Sequence, residues 1–294
     1  MAAIEIRQAC RVGALLGEGP LWLDGALWFV DIKQHRVHRF EPGTGALRTW
    51  PAPDQIGWVQ PAADGTMLAG LKTGLHRFDP ASGRFDLLLA VEPDRPGNRL
   101  NDSCVDPAGR LWIGSMDEAE RATTGRVYRV DARGVVPVAD GITITNGPAV
   151  NPAGDVLYHC DTLRGIVYAC NLDGGGAITA SRMFVTVDVA SDGHPDGPIV
   201  DAEDHLWVAF YGGWCVRRYA PDGRLVAEIR MPVANPTKVA IGGPDGRTAY
   251  VTSAARNLSD AELARQPLAG DLLAFDAGVG GQTAWPVAAV PPAA

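Results

Sequence analysis

The sequence predicts an all-β fold: a six-bladed β-propeller in which each blade is a four-stranded antiparallel sheet. Two observations predict it, namely a repeated pattern at intervals of about 40 to 50 residues and a composition rich in turn residues. Glycine supplies 35 of the 294 residues, about 12 % where about 7 % is usual, and 22 prolines accompany it. Such a chain turns often, and its glycines follow no collagen-like period.

The repeat consists of an apolar run, a turn with Asp, Gly or Pro, and a second apolar run that often contains Trp or Tyr. Its six copies are PLWLDGALWFVDI, VQPAADGTMLAGL, SCVDPAGRLWIGSM, PAVNPAGDVLYHC, PIVDAEDHLWVAF and VAIGGPDGRTAYVTS. A third run follows each pair, and most copies then reach a fourth. Four short strands bounded by turn residues are typical of a propeller blade. A β-sandwich is the alternative fold, but it does not explain six similar units.

The repeat also predicts the domain organisation. Because six units form one ring, we expect residues 1–294 to be a single six-bladed propeller domain. The segment IEIRQACRV precedes the first unit, so we expect it to pair beside the last strands and close the ring. The one helix signal is Ser259-Asp260-Ala261-Glu262, whose spacing is that of a capping box in a long loop.

Charge and cysteine content bound the class of protein. The formal charge is −8 with a pI near 5.2, which argues against a nucleic-acid partner. No apolar run approaches the roughly 20 residues that span a bilayer, and Glu5 and Arg7 interrupt any signal-peptide pattern. The five cysteines form no CxxC pair and are typical of reduced, mostly buried thiols. We therefore expect a cytoplasmic protein, monomeric and without a membrane partner.

Candidate site residues come from the repeat itself. The first strand of each propeller blade lines the central channel, so equivalent residues near the strand starts should converge. Three such positions share one tripeptide frame, and a fourth is also polar: Glu18-Gly19-Pro20, Asn146-Gly147-Pro148, Asp196-Gly197-Pro198 and Asn101-Asp102. Converging carboxylates repel one another unless a cation lies between them, and oxygen ligands suit a hard divalent cation. The alternative is that these tripeptides only form turns; their common register favours a cation site.

Five segments run in order along nearly the whole chain: GEGPLW, RLNDSCVDPAGRLWIGSM, ITNGPAV, PDGPIVDAEDHLWVAFYGG and ARQPLAG. They resemble segments of the regucalcin, senescence-marker-protein and gluconolactonase family, and most of all its bacterial aldonolactonases of the xylonolactonase type. The resemblance implies a six-bladed propeller with one divalent metal ion near the axis, and hydrolysis of sugar lactones. The identity of the metal stays open among Fe²⁺, Ca²⁺, Mn²⁺, Mg²⁺ and Zn²⁺.

Matched motif by motif, the resemblance implies roles for individual residues. The implied metal ligands are Glu18, Asn146 and Asp196, and the implied substrate-binding residues are Arg99, Asn101 and Glu118. The match is loose around Glu118, where the substrate-side glutamate falls somewhere in residues 117–120. His194, two residues before Asp196, is a candidate for an accessory role.

The predicted function is metal-dependent hydrolysis of an aldonolactone to the open-chain aldonic acid, with D-xylonolactone slightly favoured over gluconolactone as substrate. The metal ion would polarise the lactone carbonyl, and either Asp196 as catalytic base or a metal-bound hydroxide would start the attack. No HExxH or GxSxG motif offers another hydrolytic mechanism. The alternatives are a non-catalytic calcium-binding regulatory propeller, a related aryl-ester or phosphotriester hydrolase, and a protein-interaction module.

Overall fold

A computed structural model describes residues 4–291 and contains six four-stranded antiparallel sheets. The predicted six-bladed propeller is confirmed, and each repeat unit supplies the strands of one blade. The two apolar runs of each unit are the first and second strands, and the turn between them holds the glycine or aspartate of the repeat. Gly25, for example, lies between the first two strands of blade 1 with φ 76°, a left-handed conformation that suits glycine.

The first three blades are built from consecutive strands. Blade 1 contains β2 (Gly17–Leu23), β3 (Ala26–Asp31), β4 (Arg36–Glu41) and β5 (Ala46–Pro51). Blade 2 contains β6 (Ile56–Pro61), β7 (Met67–Leu71), β8 (Gly74–Asp79) and β9 (Arg84–Ala90). Blade 3 contains β10 (Asn98–Val105), β11 (Leu111–Asp117), β12 (Gly125–Asp131) and β13 (Gly134–Ile142).

Blades 4 and 5 repeat this order, and blade 6 joins the two ends of the chain. Blade 4 contains β14 (Thr145–Val150), β15 (Val156–Asp161), β16 (Ile166–Leu172) and β17 (Ile178–Thr186). Blade 5 contains β18 (His194–Val200), β19 (Leu206–Tyr211), β20 (Cys215–Tyr219) and β21 (Leu225–Arg230). Blade 6 contains β22 (Pro236–Gly242), β23 (Thr248–Ser253), β24 (Leu272–Asp276) and β1 (Arg7–Cys10). The predicted closure of the ring by the N-terminal segment is confirmed, since Arg7 pairs with Ala274.

Two short helices interrupt the strands within residues 4–291. Helix α2 (Asp260–Arg265) begins with the predicted capping box, in which the side chains of Ser259 and Glu262 each bond the other's backbone N–H. Helix α1 (Val189–Asp192) was not predicted, because its four residues are too few to show a helical period. Within residues 4–291, no helix is long and apolar enough to cross a membrane.

The hydrophobic core lies between the blades. Six buried clusters occur among the described residues, one at each interface between neighbouring blades, including the one between blades 6 and 1. Between blades 1 and 2, Trp28 stacks on Trp50 at 5.4 Å, and Phe78 meets both rings edge-on. Each blade therefore buries its two faces against its neighbours, which leaves the inner strand edges free to line the channel.

The two ends of the channel differ. At the end where the inner strands finish, residues 281–285 run beneath the channel and line a small cavity of about 130 Å³. Gln282 Nε2 donates to the carbonyl oxygens of Val150 and Val200, at 3.0 Å each. The C-terminal segment thus ties blades 4 and 5 together at this end, whereas the candidate site lies at the other.

Candidate functional site

A cavity of about 240 Å³ lies where the inner strands begin. Its walls come from strands of blades 1, 3, 4 and 5 and from loops between strands, including those that follow β11 and β23. The lining residues are Leu16, Glu18, Arg99, Asn101, Met116, Glu120, Ile144, Asn146, Thr162, Leu163, His194, Asp196, Tyr211, Arg256 and Asn257. All three predicted metal ligands are among them, together with two of the three predicted substrate-binding residues.

The repeated tripeptide frame is a β-bulge inside each inner strand rather than a turn. The strand register shifts between Glu18 and Leu21, between Asn146 and Ala149, and between Asp196 and Ile199. The central glycines adopt left-handed backbone with φ between 46° and 75°. A Cβ atom on Gly19 would lie 2.6 Å from the Gly57 carbonyl oxygen of the next blade. The glycine therefore meets two demands at once, a bulge conformation and close contact with the neighbouring inner strand. The interpretation as plain turns was wrong.

The buried carboxylates of Glu18 and Asp196 lie at the floor of the cavity, where their negative charges repel each other. Each residue is only 6 % exposed. Burial and the nearby charge of Asp102 raise the pKa of Glu18 to about 7. Burial and the charge of Glu18 hold the pKa of Asp196 well above its ordinary value. Among the described residues, the Oδ1 atom of Asp196 has no hydrogen-bond partner.

The third predicted ligand, Asn146, is held by its neighbours in one orientation. Its Nδ2 donates to Thr162 Oγ1 at 2.9 Å, and its Oδ1 accepts from Asn101 Nδ2 at 2.9 Å. The Thr162 hydroxyl in turn donates to the carbonyl of Pro195 at 3.0 Å. Because the amide nitrogen is committed to Thr162, the amide oxygen is the end left with a spare lone pair.

These residues fit a hard divalent cation. They offer carboxylate and amide oxygens, and the Asp196 Oδ1 atom is a buried acceptor with no donor, which costs free energy unless a cation or water meets it. No group of three or more His, Cys, Asp or Glu side chains within the described chain is arranged to hold a metal ion. The predicted set differs from such a group, since one of its three members is an amide.

Arg99 is buried beside the ligands and bonded along most of its guanidinium. Its Nε donates to Glu118 at 2.7 Å, and its Nη1 donates to Asn101 Oδ1 at 2.6 Å and to the Leu100 carbonyl at 3.2 Å. Its Nη2 atom takes part in none of these bonds. Arg99 therefore lines the cavity with one end of its guanidinium available, as a substrate-binding arginine requires.

Glu118, the favoured substrate-side glutamate, is not among the cavity-lining residues. Its carboxylate bridges Arg99 and Lys33, an arrangement that suits a residue that positions Arg99. Glu120, two residues further along the same loop, lines the cavity instead. Within the stretch that the sequence left open, the geometry thus favours Glu120 for direct contact with a ligand.

The family model described as SMP-30/Gluconolactonase/LRE-like region matches residues 16–255. The chain belongs to this family.

Relatives within and around the SMP-30/gluconolactonase family match almost end to end. A 6-deoxy-6-sulfogluconolactonase of Pseudomonas putida is 34 % identical over 275 residues, covering 92 % of this chain and 94 % of the relative. An L-arabinolactonase of Azospirillum brasilense is 37 % identical over 265 residues, covering 87 % and 86 %. The crystal structure of a calcium-binding protein, regucalcin, from Agrobacterium tumefaciens superimposes with a TM-score of 0.88 at 28 % identity, covering 100 % and 99 %.

An ion pair that the sequence did not predict lies beneath the floor of the cavity. Lys238 of blade 6 bonds Asp102 of blade 3 through its Nζ, and both side chains are almost fully buried. The second oxygen of Asp102 accepts from the Gly147 backbone N–H at 3.0 Å. Asp102 stands beside the repeat position of the predicted ligands and is itself an oxygen donor, but the lysine at the equivalent position of blade 6, Lys238, does not fit a set of cation ligands.

The other lining residues that sequence reasoning missed come from outside the repeat frame. The polar ones are Thr162, Tyr211, Arg256 and Asn257, and the apolar ones are Leu16, Met116, Ile144 and Leu163. Glu120 lies in the stretch that the sequence left open, where Glu118 was the favoured residue. His194 does line the cavity, and its Nδ1 lies 3.3 Å from the Thr162 carbonyl oxygen. Its accessory role stays a prediction.

Proposed function

We propose that this chain is a sugar lactonase that hydrolyses an aldonolactone to the open-chain aldonic acid, with a divalent cation held by Glu18, Asn146 and Asp196. The observation that carries the proposal is the pair of buried, mutually repelling carboxylates beside an oriented amide oxygen, in the cavity where the inner strands begin. The names of the two lactonase relatives agree with this reaction.

The size and lining of the cavity support a small hydroxylated substrate. Its volume of about 240 Å³ is below the range of roughly 300–1,000 Å³ usual for drug-sized ligands, so a single sugar ring suits it. The polar side chains of Arg99, Asn101 and Glu120 can each bond sugar hydroxyls. D-Xylonolactone remains our first candidate, with L-arabinonolactone and gluconolactone next.

In the proposed reaction a water oxygen adds to the lactone carbonyl carbon, and the ring C–O bond then breaks. When bound, the cation would supply Lewis-acid polarisation of the carbonyl oxygen. Asp196 is placed to accept the proton of the attacking water, because its Oδ1 atom lines the cavity floor and has no hydrogen-bond partner among the described residues. The same proton then passes to the departing ring oxygen, which becomes the hydroxyl group of the aldonic acid.

Arg99 and Asn101 orient the reacting groups. The Nη2 of Arg99 is available to donate to a ring hydroxyl, while Glu118 holds the guanidinium plane through Nε. Asn101 donates to both Asn146 Oδ1 and the Thr145 carbonyl, so its amide nitrogen is committed to the protein. We infer that Asn101 binds substrate only through its Oδ1 and that its larger role is to orient Asn146.

The test is lactone hydrolysis by chelator-stripped protein, followed with a pH indicator before and after adding single divalent metals. The panel contains xylono-, arabinono-, galactono- and gluconolactone beside a plain aryl ester. We expect sugar-lactone turnover that disappears with the chelator and returns with one metal, which would also identify the cation. Preferred turnover of the aryl ester would favour the esterase alternative. Calcium binding with no turnover of any compound would contradict the proposal and favour a binding protein.

A further inference from the structure

An ion pair spans the mouth of the cavity. Arg256 Nη1 bonds Glu120 Oε1 at 3.1 Å, and both residues line the cavity. Arg256 follows β23 of blade 6 and Glu120 follows β11 of blade 3, and these two blades lie opposite each other in a six-membered ring. Their side chains are 30 % and 36 % exposed, whereas the floor residues Glu18 and Asp196 are 6 % exposed. The pair therefore lies at the outer end of the cavity.

The backbone holds both partners in place. Glu120 has a left-handed backbone with φ 59°, and its N–H donates to the Asp117 carbonyl at 3.0 Å. Arg256 donates its backbone N–H to the Leu15 carbonyl at 2.9 Å, and its own carbonyl accepts from the Tyr211 hydroxyl at 3.1 Å. Left-handed backbone at a residue other than glycine is strained and occurs where the surrounding structure imposes it. The pair is thus anchored rather than carried on loose loops.

At the mouth of the cavity, the charged lining residues are Arg256 and Glu120, and their opposite charges balance. The cavity is lined by two arginines, and Arg99 is already bonded to Glu118 and Asn101 at depth. Arg256 is the other, and Glu120 neutralises it. Without Glu120, the mouth would present an arginine with its fork free for an anion, the group that guanidinium binds best.

We propose that the Glu120–Arg256 pair sets the charge specificity of the site, admitting aldonic compounds with an uncharged distal end and disfavouring those with a sulfonate or phosphate there. This inference rests on the proposed function, because the proposed cation at the floor places the carbonyl end of the ligand deep and its distal carbons at the mouth. A distal hydroxyl can donate to Glu120 and accept from Arg256. A distal anion has no proton for Glu120, carries the same charge, and must compete with Glu120 for Arg256. Of the two lactonase relatives, this places the chain with the one named for an unsubstituted sugar.

The test measures binding, so that it does not depend on turnover. Calorimetry in separate titrations with Ca²⁺, Mg²⁺ or Mn²⁺ present compares gluconate with 6-phosphogluconate, which differ only in the distal phosphate. We expect the wild type to bind gluconate more tightly. In Glu120→Gln, we expect the ratio of 6-phosphogluconate affinity to gluconate affinity to rise at least tenfold, and to fall again as salt is added. The double variant Glu120→Gln/Arg256→Gln should lose this gain.

A matched control separates specificity from the general loss of an ion pair. Glu228→Gln removes the partner of Arg217 at 2.8 Å on the outer strands of blade 5, and it should leave the ratio unchanged. Melting temperatures of all variants are to be measured, and we expect them to match the wild type because the substituted side chains are partly exposed. An unchanged ratio in Glu120→Gln overturns the inference, and so does equal or tighter binding of 6-phosphogluconate by the wild type, or no binding of either acid. If the ratio shifts but no lactone is hydrolysed, the proposed function fails and the charge specificity stands.

Discussion

The inner strands of blades 1, 4 and 5 and those of blades 2, 3 and 6 occupy the same place in the repeat but carry different chemistry. The first group has an oxygen-bearing residue before Gly-Pro, and its three side chains line the cavity floor. In the second group, blade 2 has Gly57, blade 3 has Asn101 and Asp102, and blade 6 has Lys238. The ring is thus sixfold in backbone and much less symmetric in side chains.

The difference shows how a repeat fold builds a single site. Gly57 contributes no side chain, and a Cβ on it would lie 2.2 Å from the Asn101 carbonyl oxygen, so blade 2 lets its neighbours approach closely. Asn101 bonds the proposed ligand Asn146, while Asp102 and Lys238 pair beneath the floor. Three blades therefore supply the proposed ligands and the other three supply the support that fixes them.

The sharpest way to break this comparison is to remove a ligand from the first group. We expect Asp196→Ala to lower kcat/KM for the preferred lactone by roughly 10³-fold or more, because it removes both a cation ligand and the proposed base. Lactone assays and metal analysis of the dialysed protein check it. The matched control Glu203→Gln, at an exposed carboxylate of the same blade, should behave as wild type. More than a tenth of wild-type activity in Asp196→Ala with full metal content would contradict the proposal.

The second group should respond through stability instead. Lys238→Met leaves the Asp102 carboxylate buried without its cation, and we expect a loss of about 3–5 kcal/mol in the free energy of unfolding. Urea unfolding measures it, with Lys72→Met in a turn of blade 2 as control. The double variant Lys238→Met/Asp102→Asn should recover part of the loss, because the unpaired charge is gone. Equal stability of the single variant and the wild type would show that the pair is dispensable.

How much the sequence predicted depends on whether a residue belongs to the repeat. The blades, the ring closure and the positions of Glu18, Asn146 and Asp196 recur in register, so one copy could be checked against another. The loop after β11 has no such register, and its choice between Glu118 and Glu120 depends on a left-handed residue that no pattern announced. Arg256 lies in the long segment between β23 and β24, where only tertiary contacts determine its place.

Three glycines distinguish the cost of a left-handed backbone from the cost of close packing: one in the shared tripeptide frame and two in turns. Gly19 has φ 54° and a backbone oxygen 2.6 Å from its virtual Cβ, Gly25 has φ 76° and open space, and Gly43 has open space without positive φ. We expect Gly19→Ala to cost about 2–4 kcal/mol, from backbone strain plus overpacking, and Gly25→Ala about 1–2 kcal/mol from strain alone. Gly43→Ala should be neutral or slightly stabilising. Urea unfolding of the three variants measures their losses in the free energy of unfolding. Equal losses for Gly19→Ala and Gly25→Ala would show that the neighbouring inner strands move apart to accept the extra methyl group.

The smallest expected effect concerns the support for a single ligand. Thr162→Val keeps the shape of the side chain but removes the hydroxyl that accepts from Asn146 Nδ2 and donates to the Pro195 carbonyl. Because Asn146 can then rotate its amide, we expect affinity for the activating metal to fall about tenfold, at the lower end of the effect of groups that hold a metal ligand. Calorimetric titration with the metal measures it, and Thr162→Ser, which keeps the hydroxyl, should bind as the wild type does. If Val and Ser variants bind the metal equally well, Asn101 alone is enough to orient Asn146, and the support lies wholly in blade 3.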